Sequence, residues 1–243
     1  MEEKRRDQNV ESAMRVLKYG TPARLGIGHT GTRYKTDALL DFWEAQGRAA
    51  DAVQAEVPKE VVNSLGVFEV RTRCRDKYEM LTRPDLGRLF DEDARRVIRQ
   101  RCLHGVDVEI YFGDGLCSPA IEANIPILYP ALKEKLQQLG LTVGTPFFVR
   151  YCRVNTARTI GQLLDAKLTC VLIGERPGLL TSESMSAYMA VNARPDMSES
   201  DYRVVSNISR FGTDPLKAAN TIAVMMRTML GISDQYPTES RLH

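Results

Sequence analysis

The 243-residue sequence is poor in the residues from which metal sites and cross-links are built. It has three histidines, at positions 29, 104 and 243, and five cysteines, none of them in a C-x-x-C spacing. So few histidines argue against a histidine metal cluster, and the cysteine spacing argues against a zinc ribbon or a thioredoxin motif. An odd number of widely spaced cysteines favours free thiols in a reducing compartment.

Long apolar runs and a strong charge of one sign are also missing. No apolar stretch approaches the ~18 residues of a membrane span, and the N-terminus, M-E-E-K-R-R-D-Q-N, lacks the apolar core of a signal peptide. The net charge of +2 argues against a dedicated nucleic-acid binder, which needs a dense basic patch. These features predict a protein with no membrane span and no nucleic-acid partner.

The composition is that of a packed protein, with 43% hydrophobic and 26% charged residues. Residues 1–90 are predicted to be rich in helices and to form a small separate domain. Residues 91–243 alternate strands with helices of about ten or more residues, a pattern that indicates βαβ crossovers and a mostly parallel sheet. The sequence therefore predicts an α/β protein with a helical N-terminal domain, 1–90, and a sheet domain, 91–243.

Within the second domain, a short run rich in β-branched residues, 168–173, is predicted to be a central strand buried on both faces. Residues 182–190 are expected to be ordered, as helix or strand. Pro126 and Pro130 are expected to bend or break the helix that Ser118 caps. The other predicted strands are 106–112, 145–151 and 201–208, and the other helices are 91–101, 156–166 and 215–230.

Three of these strands are followed by segments that can carry a site: 113–115 (G-D-G), 151–154 (Y-C-R-V) and 174–176 (G-E-R). The carboxyl ends of parallel strands meet at one edge of a sheet, where α/β proteins bind their ligands. Asp114 and Glu175 could pair there as acid and base, accept hydrogen bonds from ligand amides, or cap helices. Cys117 and Cys152 flank this edge and are interpreted as small apolar side chains.

No serine-nucleophile motif, phosphate loop or histidine falls on that edge, so no catalytic triad can be assembled there. The segment Gly26–Gly31 does match G-x-G-x-x-G, but Pro22 cuts short the preceding strand and four residues separate it from the helix at Thr36. It is interpreted as a loop, and a stand-alone nucleotide-binding enzyme is kept as an alternative. The charged N-terminal arm motivates another alternative, a non-catalytic assembly protein.

Several motifs occur together and in order along the chain: L-T-R-P-D-L-G-R at 81–88, T-P-F-F-V-R-Y at 145–151 and G-E-R-P-G-L at 174–179. In these the sequence resembles the small, light-chain subunit of ethanolamine ammonia-lyase over nearly its whole length. The resemblance implies a Rossmann-like domain preceded by a helical one, and a large barrel-shaped partner subunit that carries the substrate site. It also implies a cytoplasmic location, within a bacterial microcompartment.

The same resemblance implies adenosylcobalamin, a cobalt cofactor, between the two subunits, and conversion of ethanolamine to acetaldehyde and ammonia by a radical route. The small subunit is expected to be inactive alone and to supply no catalytic or metal-binding residue. The family's cofactor contacts fall on Val154, Glu175 and Val204. The family typically has cysteine where Val204 stands, so that Val204 can contact the cofactor only through its backbone or its apolar side chain. The family's Gly-Arg-Ala-Gly segment corresponds in this sequence to Gly28-His29-Thr30-Gly31.

Overall fold

The computed structural model describes residues 12–18, 20–21 and 23–232. Residues 12–18 are helical, and the rest of the helix predicted over 1–19 lies outside the described residues. A small antiparallel hairpin follows, made of β1 (His29–Thr30) and β2 (Arg33–Tyr34). Next come α1 (Thr36–Gln54), α2 (Lys59–Ser64), β3 (Phe68–Arg71), α3 (Lys77–Thr82) and α4 (Glu92–Arg101).

The remaining elements are β4 (Val108–Gly113), α5 (Pro119–Gln138), β5 (Phe147–Arg150), α6 (Thr156–Leu164), β6 (Leu168–Gly174), β7 (Met185–Val191), β8 (Arg203–Ile208) and α7 (Pro215–Met229). They alternate strand and helix as predicted as far as β6, after which two further strands precede the last helix. Short 3-10 turns lie at Leu86–Arg88 and Glu199–Asp201.

Six strands form one sheet in the order β3-β5-β4-β6-β7-β8. The pairs β3–β5, β5–β4 and β4–β6 are parallel, and β6–β7 and β7–β8 are antiparallel. The α/β class and the mostly parallel sheet are thus confirmed. The antiparallel part arises because no helix separates β6 from β7 or β7 from β8, and a parallel pairing needs a long crossover.

Helices cover both faces of this sheet, which explains why the central strands are mostly apolar, with Glu109 and Thr169 as buried polar exceptions. Every residue of β4 and β6 is buried. Alternate side chains of β4, such as Ile110 and Phe112, pack with α5 and α7, while Tyr111 packs with α4 and α6 on the other face. Successive side chains of a strand point to opposite faces, so a strand covered on both sides is largely apolar on both of them.

Two predictions of local structure are corrected by this packing. The helix α5 runs unbroken through Pro126 and Pro130, because apolar side chains on its buried face, among them Ile125 and Leu128, hold it against the sheet and α7. The hydroxyl of Ser118 does not cap that helix but donates to the carbonyl oxygen of Ala55, 2.7 Å away. The undecided segment 182–190 is largely the strand β7.

The division of the chain at residue 90 stays a prediction. The strand β3, which lies before that boundary, is an edge strand of the main sheet and pairs with β5 from Phe68↔Phe147 to Arg71↔Arg150. Val57 and Val62 also belong to the main core cluster. Residues on the N-terminal side of the boundary therefore share both sheet and core with those after it.

A buried carboxyl group lies near the amino ends of the central strands. Glu109, the second residue of β4, is fully buried, and neither of its oxygens has a hydrogen-bond partner among the described residues. Burial raises its pKa to about 9. Burial, and to a smaller extent the nearby charge of Glu109, raises the pKa of Cys102 and the pKa of Tyr129 to about 12. Glu109 is therefore neutral at physiological pH.

This carboxyl group makes stability depend on pH. The folded protein keeps its proton up to about pH 9, while the unfolded chain loses it near 4.5, so the free energy of unfolding falls as the pH rises between these values. We expect Glu109→Gln to stabilise the protein progressively from pH 5 to pH 8, by at most about 4 kcal/mol, since one pH unit corresponds to about 1.36 kcal/mol. Urea unfolding of the variant and wild type checks this, with the exposed Glu134→Gln as control. An offset that does not change with pH would contradict it.

Candidate functional site

The three predicted strand-end segments come together at the carboxyl edge of the sheet. They line an open cleft of about 450 Å³, which is formed by residues 115–116, 152–154 and 173–176, with Tyr188 of β7 completing the wall. Val154 and Glu175 both line this cleft. The sequence argument that placed these segments at one edge is therefore confirmed by their positions.

Val204 lies outside the lining of the cleft but next to it in the sheet. It belongs to the edge strand β8, is 42% exposed, and is paired in register with Tyr188. Paired residues of neighbouring strands point to the same face of a sheet. Val204 therefore extends the surface that begins at Tyr188 away from the cleft.

Glycine is required where the first and third segments meet. A Cβ atom on Gly115, whose φ is +57°, would lie 2.2 Å from the carbonyl oxygen of Gly174, and one on Gly174 would lie 2.1 Å from that of Cys117. The N–H of Leu116 donates to the carbonyl oxygen of Gly174 at 3.1 Å. The two backbones approach this closely only because neither residue carries a side chain.

The carboxylate of Asp114 joins the first segment to the second. It is fully buried, and it accepts hydrogen bonds from the N–H groups of Tyr151 at 2.9 Å and Cys152 at 2.8 Å. Tyr151 has a φ of +58°, a backbone conformation uncommon outside glycine, and its carbonyl oxygen accepts from Thr72 at 3.0 Å. Asp114 therefore neither caps the following helix nor faces the cleft as an acid or base.

A buried ammonium group also holds the loop between β4 and α5 by a hydrogen bond. Lys77, 4% exposed, donates from Nζ to the carbonyl oxygen of Gly115 at 2.9 Å. Burial lowers the pKa of Lys77, and the nearby Asp114 and Glu56 act against that change. Burial likewise raises the pKa of Asp114, opposed first by Lys77. Nothing in the local sequence around Lys77 indicates this role, because it arises only when α3 packs beneath the β4–α5 loop.

Glu175 is fixed by hydroxyl donors from the start of β7. Its Oε2 accepts from Ser184 Oγ at 2.7 Å, its Oε1 accepts from Ser186 Oγ, and its N–H donates to the carbonyl oxygen of Ser184 at 3.0 Å. Glu175 forms no ion pair with the neighbouring Arg176 among the described residues. The half-buried carboxylate is held as a hydrogen-bond acceptor at the wall of the cleft.

The cysteines beside the cleft are unreactive. Cys117 and Cys152 are fully buried. Burial raises the pKa of Cys117 to about 11 and that of Cys152 further above its ordinary value. Because the thiolate is the reactive form, both behave as small apolar side chains, as the sequence analysis proposed.

The glycine-rich segment Gly26–Gly31 lacks the setting that dinucleotide binding requires. It leads into the hairpin of β1 and β2, where the rings of His29 and Tyr34 lie 4.7 Å apart, and no strand of the main sheet precedes it in the described chain. Within residues 12–232, apart from the two positions not described, no cluster of His, Cys, Asp and Glu could hold a metal. None of the described helices combines the length and apolar composition of a membrane span.

Comparisons with known proteins define what this fold and site belong to. The family model described as ethanolamine ammonia-lyase light chain (EutC) matches residues 11–234. The ethanolamine ammonia-lyase small subunit of Clostridium perfringens is 42% identical over 214 residues, 88% of this chain and 72% of that protein. The small subunit of Fusobacterium nucleatum is 42% identical over 225 residues, which are 92% of this chain and 76% of that protein. The small subunit of Clostridium acetobutylicum is 43% identical over 220 residues, which are 90% of this chain and 91% of that protein.

These matches define the class first: the chain is similar throughout to the small subunits of an ammonia-lyase. More specifically, it belongs to the ethanolamine ammonia-lyase light-chain family. The resemblance drawn from the sequence motifs is thereby confirmed.

The geometry around Asp114 predicts the effect of one substitution. Asp114→Asn keeps the shape but replaces one acceptor oxygen by an N–H₂ group that would face a backbone N–H, and it leaves the buried Lys77 without its counter-charge. We expect a loss of about 1–3 kcal/mol in the free energy of unfolding. Urea denaturation measures it, with Asp85→Asn, an exposed ion-pair partner of Arg83, as the control with a smaller effect. Equal losses in both variants would contradict the role given to Asp114.

Proposed function

We propose that this chain is the small subunit of an adenosylcobalamin-dependent ethanolamine ammonia-lyase, which converts ethanolamine to acetaldehyde and ammonia together with a large subunit. Membership of the light-chain family supports the subunit and the reaction. The cleft at the carboxyl edge of the sheet, with Val154 and Glu175 in one wall, carries the proposal of a cofactor contact. On this proposal the chain is inactive alone and works in the cytoplasm, within a bacterial microcompartment.

The groups on the wall of the cleft suit the edge of a cobalamin. Its corrin ring is fringed with amide side chains, which need both acceptors and donors. Each oxygen of Glu175 accepts one serine hydroxyl and retains capacity for a further bond. The N–H of Val154 donates no hydrogen bond within the described part of the chain. A carboxylate acceptor and a free backbone N–H donor therefore lie on one wall, and this combination of hydrogen-bonding groups fits a ring fringed with amides.

The size of the cleft indicates how the two subunits would share the cofactor. An open cleft of about 450 Å³ holds only part of so large a molecule, so the opposite wall must come from the large subunit. When bound, adenosylcobalamin supplies the radical through homolysis of its cobalt–carbon bond. The residues of this chain would bind and orient it, because two serine hydroxyls fix the carboxylate of Glu175 at the wall of the cleft.

Val204 is the third proposed contact, on the surface beside the cleft. Its exposed, uncharged side chain on the edge strand β8 offers apolar contact, and the strand backbone offers hydrogen bonds. This position lies in register with Tyr188, which lines the cleft. We place Val204 against the outer rim of the cofactor for that reason.

Reconstitution tests the proposed function directly. The purified chain, mixed with the large subunit encoded by the same organism and adenosylcobalamin, should release ammonia from ethanolamine. Each subunit alone with the cofactor should release none, because neither wall of the cleft suffices. Ammonia is measured by a coupled assay. A folded, stably associated pair that releases no ammonia with cofactor present would overturn the proposal.

A substitution at Glu175 tests the cofactor contact separately from turnover. Glu175→Gln retains the shape but removes the charge, and a charge-assisted bond is about twice as strong as a neutral one. We expect the reconstituted pair to bind adenosylcobalamin about tenfold more weakly, as judged by titration of the corrin absorption. The exposed Glu60→Gln should bind as the wild type does. Unchanged affinity in Glu175→Gln would count against this contact.

A further inference from the structure

The side chain of Arg153 is held at the rim of the cleft, next to Val154. Its N–H donates to the carbonyl oxygen of Gly87 at 3.0 Å, and its Nη2 donates to that of Met80 at 2.9 Å. The aliphatic part lies against Gly87, where an added Cβ would come within 2.9 Å of Arg153 Cγ. The segment from α3 to the 3-10 turn at Leu86–Arg88 therefore fixes this guanidinium in place.

No acid compensates the positive charge. Arg153 Nε is enclosed and has no hydrogen-bond partner. Within the described ranges, no carboxylate forms an ion pair with Arg153, with Arg88 or with Arg176, although many surface arginines elsewhere are paired. The oxygens of the buried Asp114 nearby already accept hydrogen bonds from backbone N–H groups.

This arrangement is unfavourable without a ligand. Burial and, after it, the neighbouring guanidinium of Arg88 lower the pKa of Arg153, with Asp114 the weakest of the opposing influences. A partly buried charge that lacks a counter-charge costs free energy. Glu175, the one acid that lines the cleft, is bonded to Ser184 and Ser186. An anion bound beside Arg153 would remove this cost.

We infer that Arg153, assisted by Arg88, forms a subsite for a phosphate group of the ligand that occupies the cleft. With Nε enclosed and one N–H of Nη2 donated to Met80, the remaining Nη N–H groups of the planar guanidinium are the donors available to phosphate oxygens. This inference rests on the proposed function, because cobalamin carries one phosphodiester in the loop that links its ring to its lower base. Glu175 would then meet amides of the ring, and Arg153 the phosphate.

The test compares two corrinoids that differ in this phosphate. Adenosylcobinamide phosphate carries it and adenosylcobinamide does not, and neither carries the lower nucleoside. Titration of the two-subunit complex, followed by corrin absorption, should show that the wild type binds the phosphate form about tenfold or more tightly. Arg153→Met should abolish this preference, so that the variant binds the two corrinoids with similar affinity. Arg153→Lys, which keeps the charge and loses the fork, should retain part of the preference.

Controls separate a phosphate subsite from a structural role. Arg83→Met, an exposed arginine of the same segment that pairs with Asp85 at 2.8 Å, should keep the full preference, and Arg88→Met should reduce it. If Arg153→Met weakened both corrinoids equally, or if the wild type showed no preference, the subsite would be refuted and the proposed function left standing. If the folded wild-type complex bound neither corrinoid, the subsite would be refuted; if it also failed to bind adenosylcobalamin, titrated in parallel, the proposed function would be overturned with it.

Discussion

The bonds between the carboxylate of Asp114 and the N–H groups of Tyr151 and Cys152 are the contact on which the cleft depends. They join the end of β4 to the end of β5 and hold Tyr151 in a left-handed backbone conformation. The next residues, Arg153 and Val154, are thereby directed to the rim. Lys77 offsets the buried negative charge and holds the neighbouring carbonyl of Gly115. A polar cluster buried in this way stabilises only when each member is satisfied.

The chemistry of the cleft is that of a binding wall rather than of a catalytic centre. Its one lining acid is bonded to two hydroxyl groups, its thiols are buried with raised pKa values, and its fixed guanidinium lacks an acid partner. What remains available to a ligand is a set of hydrogen-bond donors and acceptors and an unbalanced positive charge. Such a surface suits a large polar ligand with amide and anionic groups, and on the proposed function it leaves the reaction to the cofactor and to the partner subunit.

The sequence predicted the parts of the fold that depend on local pattern. The apolar run 168–173 became the buried strand β6, and the rule for parallel strands placed Val154 and Glu175 at one edge. It did not predict the antiparallel direction of β7 and β8, since the alternation of apolar and polar residues along a strand is the same whether its neighbour runs parallel or antiparallel. The unbroken course of α5 through its prolines depends on tertiary packing. The roles of Lys77 and Arg153 were also missed, because residues distant in sequence create their burial and lack of partners.

Amide hydrogen exchange in the two-subunit complex, with and without adenosylcobalamin, tests most directly whether this edge of the sheet is the wall of the cofactor site. The N–H of Val154 has no acceptor in the described chain, and the loop after Gly174 is open to solvent. The account predicts that the cofactor slows exchange in peptides covering 151–158 and 174–188. Peptides covering 104–109, at the opposite edge of the sheet, should be unchanged. Bound cofactor with no slowing in the first two regions would contradict the account.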